Sequence, residues 1–258
     1  MRTLASAAAL ASLVSLAAVP MTSTVGAQGH SAPRNATVPA GGARVVRVIA
    51  RAGSLRITGA EGLTEVRVRG TARAARERHL DDITLRAERH GDVVEVEAEM
   101  PNRVGIGVWN DRLDLVIEVP RSVRLDVEDG SGETEIRGVG PLQLEDGSGG
   151  VEIEDVAGDL EVEDGSGDLR VERVRGDVEV ADGSGGIVVR DVDGTFMVDE
   201  DGSGEIVAEE VGGTVRVRRD GSGEISVSSV GGDFIVDRDG SGGVRSRDVK
   251  GQIRLPGS

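Results

Sequence analysis

The sequence predicts an all-β protein built around a single-chain β-solenoid, a fold of the β-helix or β-roll type. The motif Asp-Gly-Ser-Gly occurs seven times, and successive copies begin 17 to 19 residues apart. Self-similarity at a short, nearly constant period is the signature of a repeat architecture. Each repeat also contains two runs in which apolar and polar residues alternate between glycines, as expected for strands with one buried face. The motifs begin at Asp129, Asp146, Asp164, Asp182, Asp201, Asp220 and Asp239.

The apolar residues of successive repeats align in columns. They lie five, seven, ten, fourteen and sixteen residues after the motif aspartate, with one deletion in the first copy. One repeat is too short to bury its own apolar face, so the columns must stack into a continuous core. A half-period of nine residues, between 149–153 and 158–162, indicates two strands per coil; a flat meander of hairpins is the alternative. The tenth position is always valine: Val139, Val156, Val174, Val192, Val211, Val230 and Val249.

Residues 1–27 are predicted to be a secretory signal peptide. Arg2 supplies the positive end, residues 4–19 are an apolar run, and small residues precede a cleavage site after Ala27. The run is shorter than the about 20 residues of a spanning helix, so we prefer cleavage to a membrane anchor. The mature protein is then exported to the periplasm or cell surface and does not span a membrane.

Two further segments precede the regular repeats. Residues 28–43 contain proline and polar residues, which favour a disordered linker. Residues 44–128 form an irregular β-rich part, with a helix or long turn at 72–82, a hairpin at 83–99 and a strand at 113–119. Because an open solenoid end exposes strand edges, we expect this part to cover one end of the stack. Residues 129–258 are the regular repeats.

Charge is unevenly distributed along the chain. Residues 28–128 contain 16 Lys and Arg against 15 Asp and Glu, whereas residues 129–258 contain 13 against 31. Phosphate binding needs a basic surface, so we expect no nucleic acid partner. Cations or a basic protein surface fit better; the alternative is that the acids only maintain solubility and discourage edge pairing. The chain has no cysteine, which excludes disulfides and thiolate metal sites.

One stretch resembles a known bacterial family. It reads Leu113-Asp-Leu-Val-Ile-Glu-Val-Pro120, then Val123-Arg-Leu-Asp-Val127, then Gly-Ser-Gly repeats that alternate with Val-x-Gly turns. It is similar to the exported adhesin-like β-strand-repeat family, also called the auto-transporter adhesin head-like domain of unknown function, over residues 44–255. The resemblance implies a single-chain β-solenoid in the cell envelope, and the family offers no accepted catalytic residues to transfer.

The motifs favour a protein that is not an enzyme. A nucleophilic serine needs one positioned base, whereas Asp-Gly-Ser-Gly is present seven times. The histidines, His30, His79 and His90, lie outside the repeats and are expected on the surface. No Gly-Lys-Ser/Thr phosphate loop follows the glycines. A carbohydrate-active β-helix enzyme is the weaker alternative, because the aromatic residues of the repeats, Phe196 and Phe234, fall in core columns.

Stacking the repeats places the motif aspartates in one column, about 5 Å apart. Adjacent like charges on a sheet are unfavourable, so something must offset them. In the preferred hypothesis each aspartate caps a solvated turn by accepting backbone N–H groups two or three residues on. The weaker alternative is Ca²⁺, which takes six to eight oxygen ligands, although the known calcium-roll repeat places its aspartate differently. We therefore expect no cofactor; the candidate calcium ligands are Asp146, Asp164, Asp182, Asp201 and Asp220.

A few apolar residues of the later coils are predicted to face outward. Val188, Val207, Met197 and Ile235 form a candidate contact surface on the acidic rod. Together these observations predict a non-catalytic exported module of the bacterial cell envelope, an adhesin-like binding or scaffold protein. Its partner would be an envelope component or another protein. The alternative is a structural or envelope-stress spacer rod.

Overall fold

The computed structural model describes residues 29–100 and 111–257, which form a β-solenoid of two facing sheets with 11 strands each. The first sheet contains β1 (His30–Pro39), β3 (Leu55–Ala60), β4 (Glu65–Ala74), β7 (Arg112–Pro120), β9 (Thr134–Arg137), β11 (Val151–Val156), β13 (Leu169–Val174), β15 (Ile187–Val192), β17 (Ile206–Val211), β19 (Ile225–Val230) and β21 (Val244–Val249). The second contains β2 (Val45–Ile49), β5 (Thr84–His90), β6 (Val93–Glu99), β8 (Arg124–Asp129), β10 (Leu142–Asp146), β12 (Leu160–Asp164), β14 (Val178–Asp182), β16 (Phe196–Asp201), β18 (Val215–Val217), β20 (Phe234–Val236) and β22 (Ile253–Arg254). One 3₁₀ helix spans Glu77–Asp82.

Each regular coil contributes one strand to each sheet. Strand β11 pairs in parallel with β9 and β13, and β12 pairs in parallel with β10 and β14. Consecutive strands of the chain therefore lie in opposite sheets. A meander of hairpins would pair consecutive strands antiparallel, so the solenoid prediction is confirmed.

A bulge in each first-sheet strand of the regular repeats from β11 to β21 explains the spacing of the apolar columns. In β11, Asp155 has a φ of 57° and no partner in the parallel register, so Val156 returns to the core where strict alternation would place it outside. A left-handed backbone is unfavourable by about 1–2 kcal/mol for a residue with a Cβ atom. The first repeat places Gly138 there, with a φ of 69°. The later coils place Arg173, Asp191, Glu210, Ser229 and Asp248 there, with φ between 55° and 61°.

The core lies between the two sheets and contains the predicted columns. Of the tenth-position valines, those from Val139 to Val230 are at most 1% exposed, whereas Val249 in the last coil is half-buried. Phe196 and Phe234 are fully buried, as their positions predicted.

Coils of 19 residues have one residue more than coils of 18, and the extra residue lies in the second-sheet strand just before the motif. Where β14 pairs with β16, the register shifts after Val180, so that Ala181 faces Glu200 and Asp182 faces Asp201. Asp199 is the inserted residue. The aspartate column therefore stays in register although the coils differ in length.

The N-terminal part covers one end of the stack, as expected. The coil formed by β2 and β3 lies between the coil of β6 and β7 and the coil of β8 and β9, so spatial order departs from chain order. Beyond it the pairing becomes antiparallel: β1 with β4, β4 with β7, and β5 with β6. The hairpin predicted at 83–99 is thus confirmed.

The prediction of a disordered linker at 28–43 is wrong. Strand β1 pairs along its full length with β4, and the Arg34 side chain forms hydrogen bonds with the segment that precedes β5. Its Nε donates to the carbonyl of Ile83 (2.8 Å) and its Nη2 to that of Leu80 (2.6 Å). The break predicted at 72–82 is shorter, because β4 continues to Ala74 before the 3₁₀ helix begins.

The predicted signal peptide lies outside the described residues. Within 29–100 and 111–257, no helix combines the length and apolar character needed to cross a bilayer.

Candidate functional site

The motif aspartates form a buried column at one corner of the solenoid. The parallel register sets each aspartate opposite the next, and isolated bridges extend the column to Asp239, which is half-buried. The expectation of solvated turns is therefore wrong for the six preceding aspartates. Asp129, Asp146, Asp164, Asp182, Asp201 and Asp220 are between 1% and 5% exposed.

The reason for this burial lies in the strand that precedes each motif. In β12, Leu160 and Val162 point into the core, and Asp164 is the next residue of the same parity. The aspartate ends a second-sheet strand before the chain turns. Its carboxyl group therefore follows the inward direction of that strand.

Hydrogen bonds within the turns reach only some of the carboxylate oxygens in the column. Asp164 Oδ1 accepts from the Ser166 N–H (3.0 Å) and Asp182 Oδ1 from the Ser184 N–H (3.2 Å), as the turn hypothesis predicted. Neither carboxylate oxygen of Asp146 accepts a hydrogen bond from a backbone N–H or a hydroxyl group among the described residues.

The first coil differs from the others in one respect. Asp129 Oδ2 accepts a hydrogen bond from Thr134 Oγ1 (2.8 Å). Thr134 occupies the fifth position of the repeat, which is apolar in the following coils. This hydroxyl shows how a donor can be supplied to the column from the facing sheet.

Burial and mutual repulsion raise the pKa values of the column. The pKa of Asp146 rises to about 7 because of burial and the charges of Asp129 and Asp164. Burial, followed by the hydrogen bond and charge of Asp220, raises the pKa of Asp201 to about 7. Burial and the charge of Asp164 raise the pKa of Asp182 to about 6. Burial also raises the pKa values of Asp129, Asp164 and Asp220.

The candidate calcium ligands are brought together as a line. Each inner carboxyl group has one carboxyl neighbour above and one below. Within the described residues, no three His, Asp or Glu side chains converge into a group that could hold a metal ion. A calcium cage requires six to eight oxygens around one point. Calcium binding stays an untested alternative, and this arrangement does not favour it.

An exposed row of glutamates runs beside the column. Each residue directly precedes a motif aspartate, and the row lines an open groove of about 530 Å³ with the turn residues. Its members are Glu128, Glu145, Glu163 and Glu200.

Part of this outer face carries glutamates that form no ion pair. We use the term acidic strip for Glu145, Glu161, Glu163 and Glu179 on β10, β12 and β14. The register sets Glu145 opposite Glu163 and Glu161 opposite Glu179. None of the four has an ion pair within 4.0 Å to another described residue. Desolvation, followed by the hydrogen bond and charge of Asp199 and the charge of Glu161, raises the pKa of Glu179, and the charge of Arg218 opposes the rise.

The opposite face of the solenoid is arranged differently. On the first sheet, arginines pair with acids of adjacent coils and neutralise them. The pairs include Arg137 with Glu152 (3.1 Å), Arg173 with Glu154 (2.9 Å) and Arg190 with Glu209 (2.7 Å). The second sheet also has such pairs in its later coils, for example Arg218 with Asp199 (2.9 Å), so it is the acidic strip, and not the whole face, that differs from the first sheet.

The candidate contact surface does not form one patch. Val188 and Val207 are neighbours on the first sheet, whereas Met197 and Ile235 lie on the second with Arg216 between them. All four apolar side chains are half-buried.

The three histidines lie in the N-terminal part, within residues 29–100. His79 is 4% exposed, with Nδ1 3.6 Å from Asp111 Oδ2, so its expected surface position is wrong. It lies in the 3₁₀ helix that packs against β1 and β4. His90 is exposed as predicted, with Nε2 3.4 Å from Glu88 Oε2.

Comparison with known proteins agrees with this architecture. A family model described as Toastrack DUF4097 matches residues 54–253. No curated protein matches the chain.

Three similar solved structures come from bacteria. A candidate lipid-binding protein from Parabacteroides distasonis is 18% identical, with a TM-score of 0.52 over 89% of this chain and 96% of that one. A candidate adhesin from Bacteroides fragilis is 12% identical, with a TM-score of 0.49 over 89% and 100%. A candidate adhesin from Parabacteroides merdae is 10% identical, with a TM-score of 0.39 over 83% and 95%. At 18% identity, the first of these likenesses shows a shared fold alone.

Proposed function

Since the chain belongs to the Toastrack DUF4097 family, we propose that it is a non-catalytic, adhesin-like binding module exported to the bacterial cell envelope. The observation that supports binding most directly is the acidic strip. Its four carboxylates lie on three neighbouring strands without ion-pair partners among the described residues, whereas acids on the opposite face are paired with arginine.

Like charges on adjacent strands reduce stability. Arginine ion pairs relieve that repulsion elsewhere on this rod, so the lack of such pairs along the strip favours a role outside folding. A basic surface of a partner protein or envelope component complements such a strip, and charge complementarity increases association rate and specificity. The strip lies on hydrogen-bonded strands, so binding would order little backbone.

The predicted signal peptide and the absence of cysteine from the sequence support export to the envelope. Packing and parallel ladders stabilise the rod, and neither depends on disulfides. The names of the similar structures are compatible with a binding role.

The test is capture of partners from an isolated envelope fraction by the immobilised mature protein. A variant with Glu145→Gln, Glu161→Gln, Glu163→Gln and Glu179→Gln removes the strip. A control with Glu61→Gln, Glu133→Gln, Glu205→Gln and Glu210→Gln removes the same number of charges at scattered exposed positions. We expect reproducible capture that the strip variant loses and the control retains.

Equal capture by all three proteins would contradict a role for the strip. If the wild-type protein captures nothing from the envelope fraction, the spacer-rod alternative gains support instead. In that case the protein would act through its length and rigidity.

A further inference from the structure

Among the described residues, no arginine, lysine or histidine forms an ion pair within 4.0 Å with the buried aspartates of the column. The charged groups that act on its titration are other carboxyls, including Asp168 beside Asp182. The rim residues before each motif face outward: Glu128, Glu145, Glu163, Ala181, Glu200, Arg219 and Arg238. Of these, Glu128 pairs with Arg51, and Glu200 pairs with Arg219.

The first sheet, which faces the column, places mainly apolar side chains in the same corner. Its fifth-position residues are Thr134, Val151, Leu169, Ile187, Ile206 and Ile225, all buried. Thr134 donates to Asp129, but its counterparts have no polar side-chain atom. The column from Asp146 onward therefore meets backbone, apolar side chains and its own neighbours.

Ionising every aspartate would place negative charges one strand spacing apart, about 4.8 Å, on side chains that are at most 5% exposed from Asp129 to Asp220. Protonating some of them changes the balance. A protonated carboxyl group has an O–H that can donate to a neighbouring carboxylate, and such charge-assisted bonds are short and strong. Proton sharing would also give partners to the carboxylate oxygens that have no donor.

We propose that the buried aspartate column is a proton-binding site in which neighbouring carboxyl groups share protons, so that folding of the rod is linked to proton uptake. The column then acts as a pH-sensitive element of the fold. The contribution of the column to stability is greatest in acidic medium and falls as the pH rises through neutrality.

The direction follows from the linkage between proton binding and folding. The pKa values of Asp146 and Asp201 are about 7 and that of Asp182 is about 6, against 3.8 for an ordinary aspartate. Between these limits the folded chain binds more protons than the unfolded chain, so stability falls with rising pH. Their stabilising contribution is fully present below pH 3.8 and is lost as the pH rises through about 6 to 7.

The first experiment measures urea unfolding of the mature protein between pH 5 and pH 8.5 at constant ionic strength with a chelator present. Each proton taken up on folding changes the folding constant about tenfold per pH unit. We expect the wild-type slope to correspond to more than one proton. A flat or rising profile would overturn the proposal.

Two triple variants identify the groups responsible. Asp146→Asn, Asp182→Asn and Asp220→Asn replace every second carboxyl with an amide that can donate to its neighbours and keeps an acceptor for the turn. Glu145→Gln, Glu163→Gln and Glu200→Gln remove three exposed charges directly beside the column. The Asn triple should lose most of the slope and the Gln triple should retain it. If the Asn triple and the Gln triple lost the same part of the pH dependence of stability, that dependence would come from general surface repulsion, and the proposal would be contradicted.

Two single variants, which change the core less, test the proposal if the Asn triple fails to fold. Val151→Thr places a hydroxyl five residues after Asp146, as Thr134 lies five residues after Asp129. It should reduce the number of protons taken up, whereas Val156→Thr, in a column without carboxyls, should only lower stability. An unchanged slope in Val151→Thr would count against the proposal. Stabilisation of the wild type at pH 8 by millimolar Ca²⁺, but not by NaCl of matched ionic strength, would show that the column holds metal and would overturn it.

Discussion

Replacing Gly204 by alanine tests the close approach of successive coils. Gly204 is the second glycine of its motif and has a φ of 153°. A Cβ atom there would lie 1.5 Å from the carbonyl oxygen of Gly185 in the coil before it. That contact involves backbone on both sides, so no side-chain rotation relieves it.

The size of the effect follows from the coil spacing. Coils lie about 4.8 Å apart, and a normal contact would require a local separation larger by roughly 2 Å. Three backbone hydrogen bonds cross this boundary beside the turn: Gly185 N–H to Ser203 (2.9 Å), Ile187 N–H to Glu205 (2.8 Å) and Gly202 N–H to Asp182 (3.1 Å). At about 1 kcal/mol each, with about 1–3 kcal/mol of backbone strain, we expect a loss of roughly 4–6 kcal/mol.

Urea unfolding followed by circular dichroism measures this loss. Gly243→Ala is the matched control, because an added Cβ atom there meets nothing within 4 Å. We expect the control to change stability by no more than about 0.5 kcal/mol. If Gly204→Ala is as stable as Gly243→Ala, the proposed stacking of the turns is wrong.

Three further predictions concern register, strain and export. Val211→Asp, at a position 1% exposed, should destabilise the rod by several kcal/mol in thermal or urea unfolding. Glu209→Lys removes only a partly exposed pair with Arg190 and should lose about 1 kcal/mol or less, so equal effects would exclude this register. Glu210→Gly removes a left-handed residue with a φ of 58° and should stabilise by up to about 1 kcal/mol, while a loss of stability would argue against strain there. N-terminal sequencing of protein from periplasm or medium should begin near Gln28, and an intact Met1 in the membrane pellet would contradict export.

The repeat core could be predicted from sequence because each coil repeats the same packing problem. Val156, Val174 and their counterparts recur at one position, and only a stacked arrangement buries all of them. The bulge at Asp155 was not predicted, although it accounts for the valine column lying ten residues after the motif aspartate where strict alternation would place it at nine. Prediction succeeded where one local pattern was repeated seven times.

The buried aspartates were missed because two general tendencies suggested the opposite. Aspartate is a frequent turn residue, and it is rarely buried without a partner. The contrary signal was that every second residue of this strand points into the core. Leu160 and Val162 do so, and Asp164 is the next residue in the same alternation. That pattern indicates a core position, and turn chemistry alone does not explain it.

The N-terminal end depended on contacts between distant parts of the chain. Strand β1 contains Pro33 and Pro39, which composition associates with linkers. Proline is tolerated on an edge strand, however, and β4 supplies the pairing partner. The uncompensated charge of the acidic strip likewise depends on which coils place arginines beside which acids, and only the register across coils decides this.

The most direct test of the account is a carboxyl titration resolved by residue. ¹³C NMR of aspartate-labelled mature protein would follow the side-chain carboxyl signals of Asp146, Asp182 and Asp201, assigned through single Asn substitutions, with the urea-unfolded chain as reference. The account predicts midpoints that correspond to a pKa of about 7 for Asp146, about 6 for Asp182 and about 7 for Asp201. Midpoints for all three near the ordinary aspartate pKa of 3.8, as in the unfolded reference, would contradict a buried proton-sharing column.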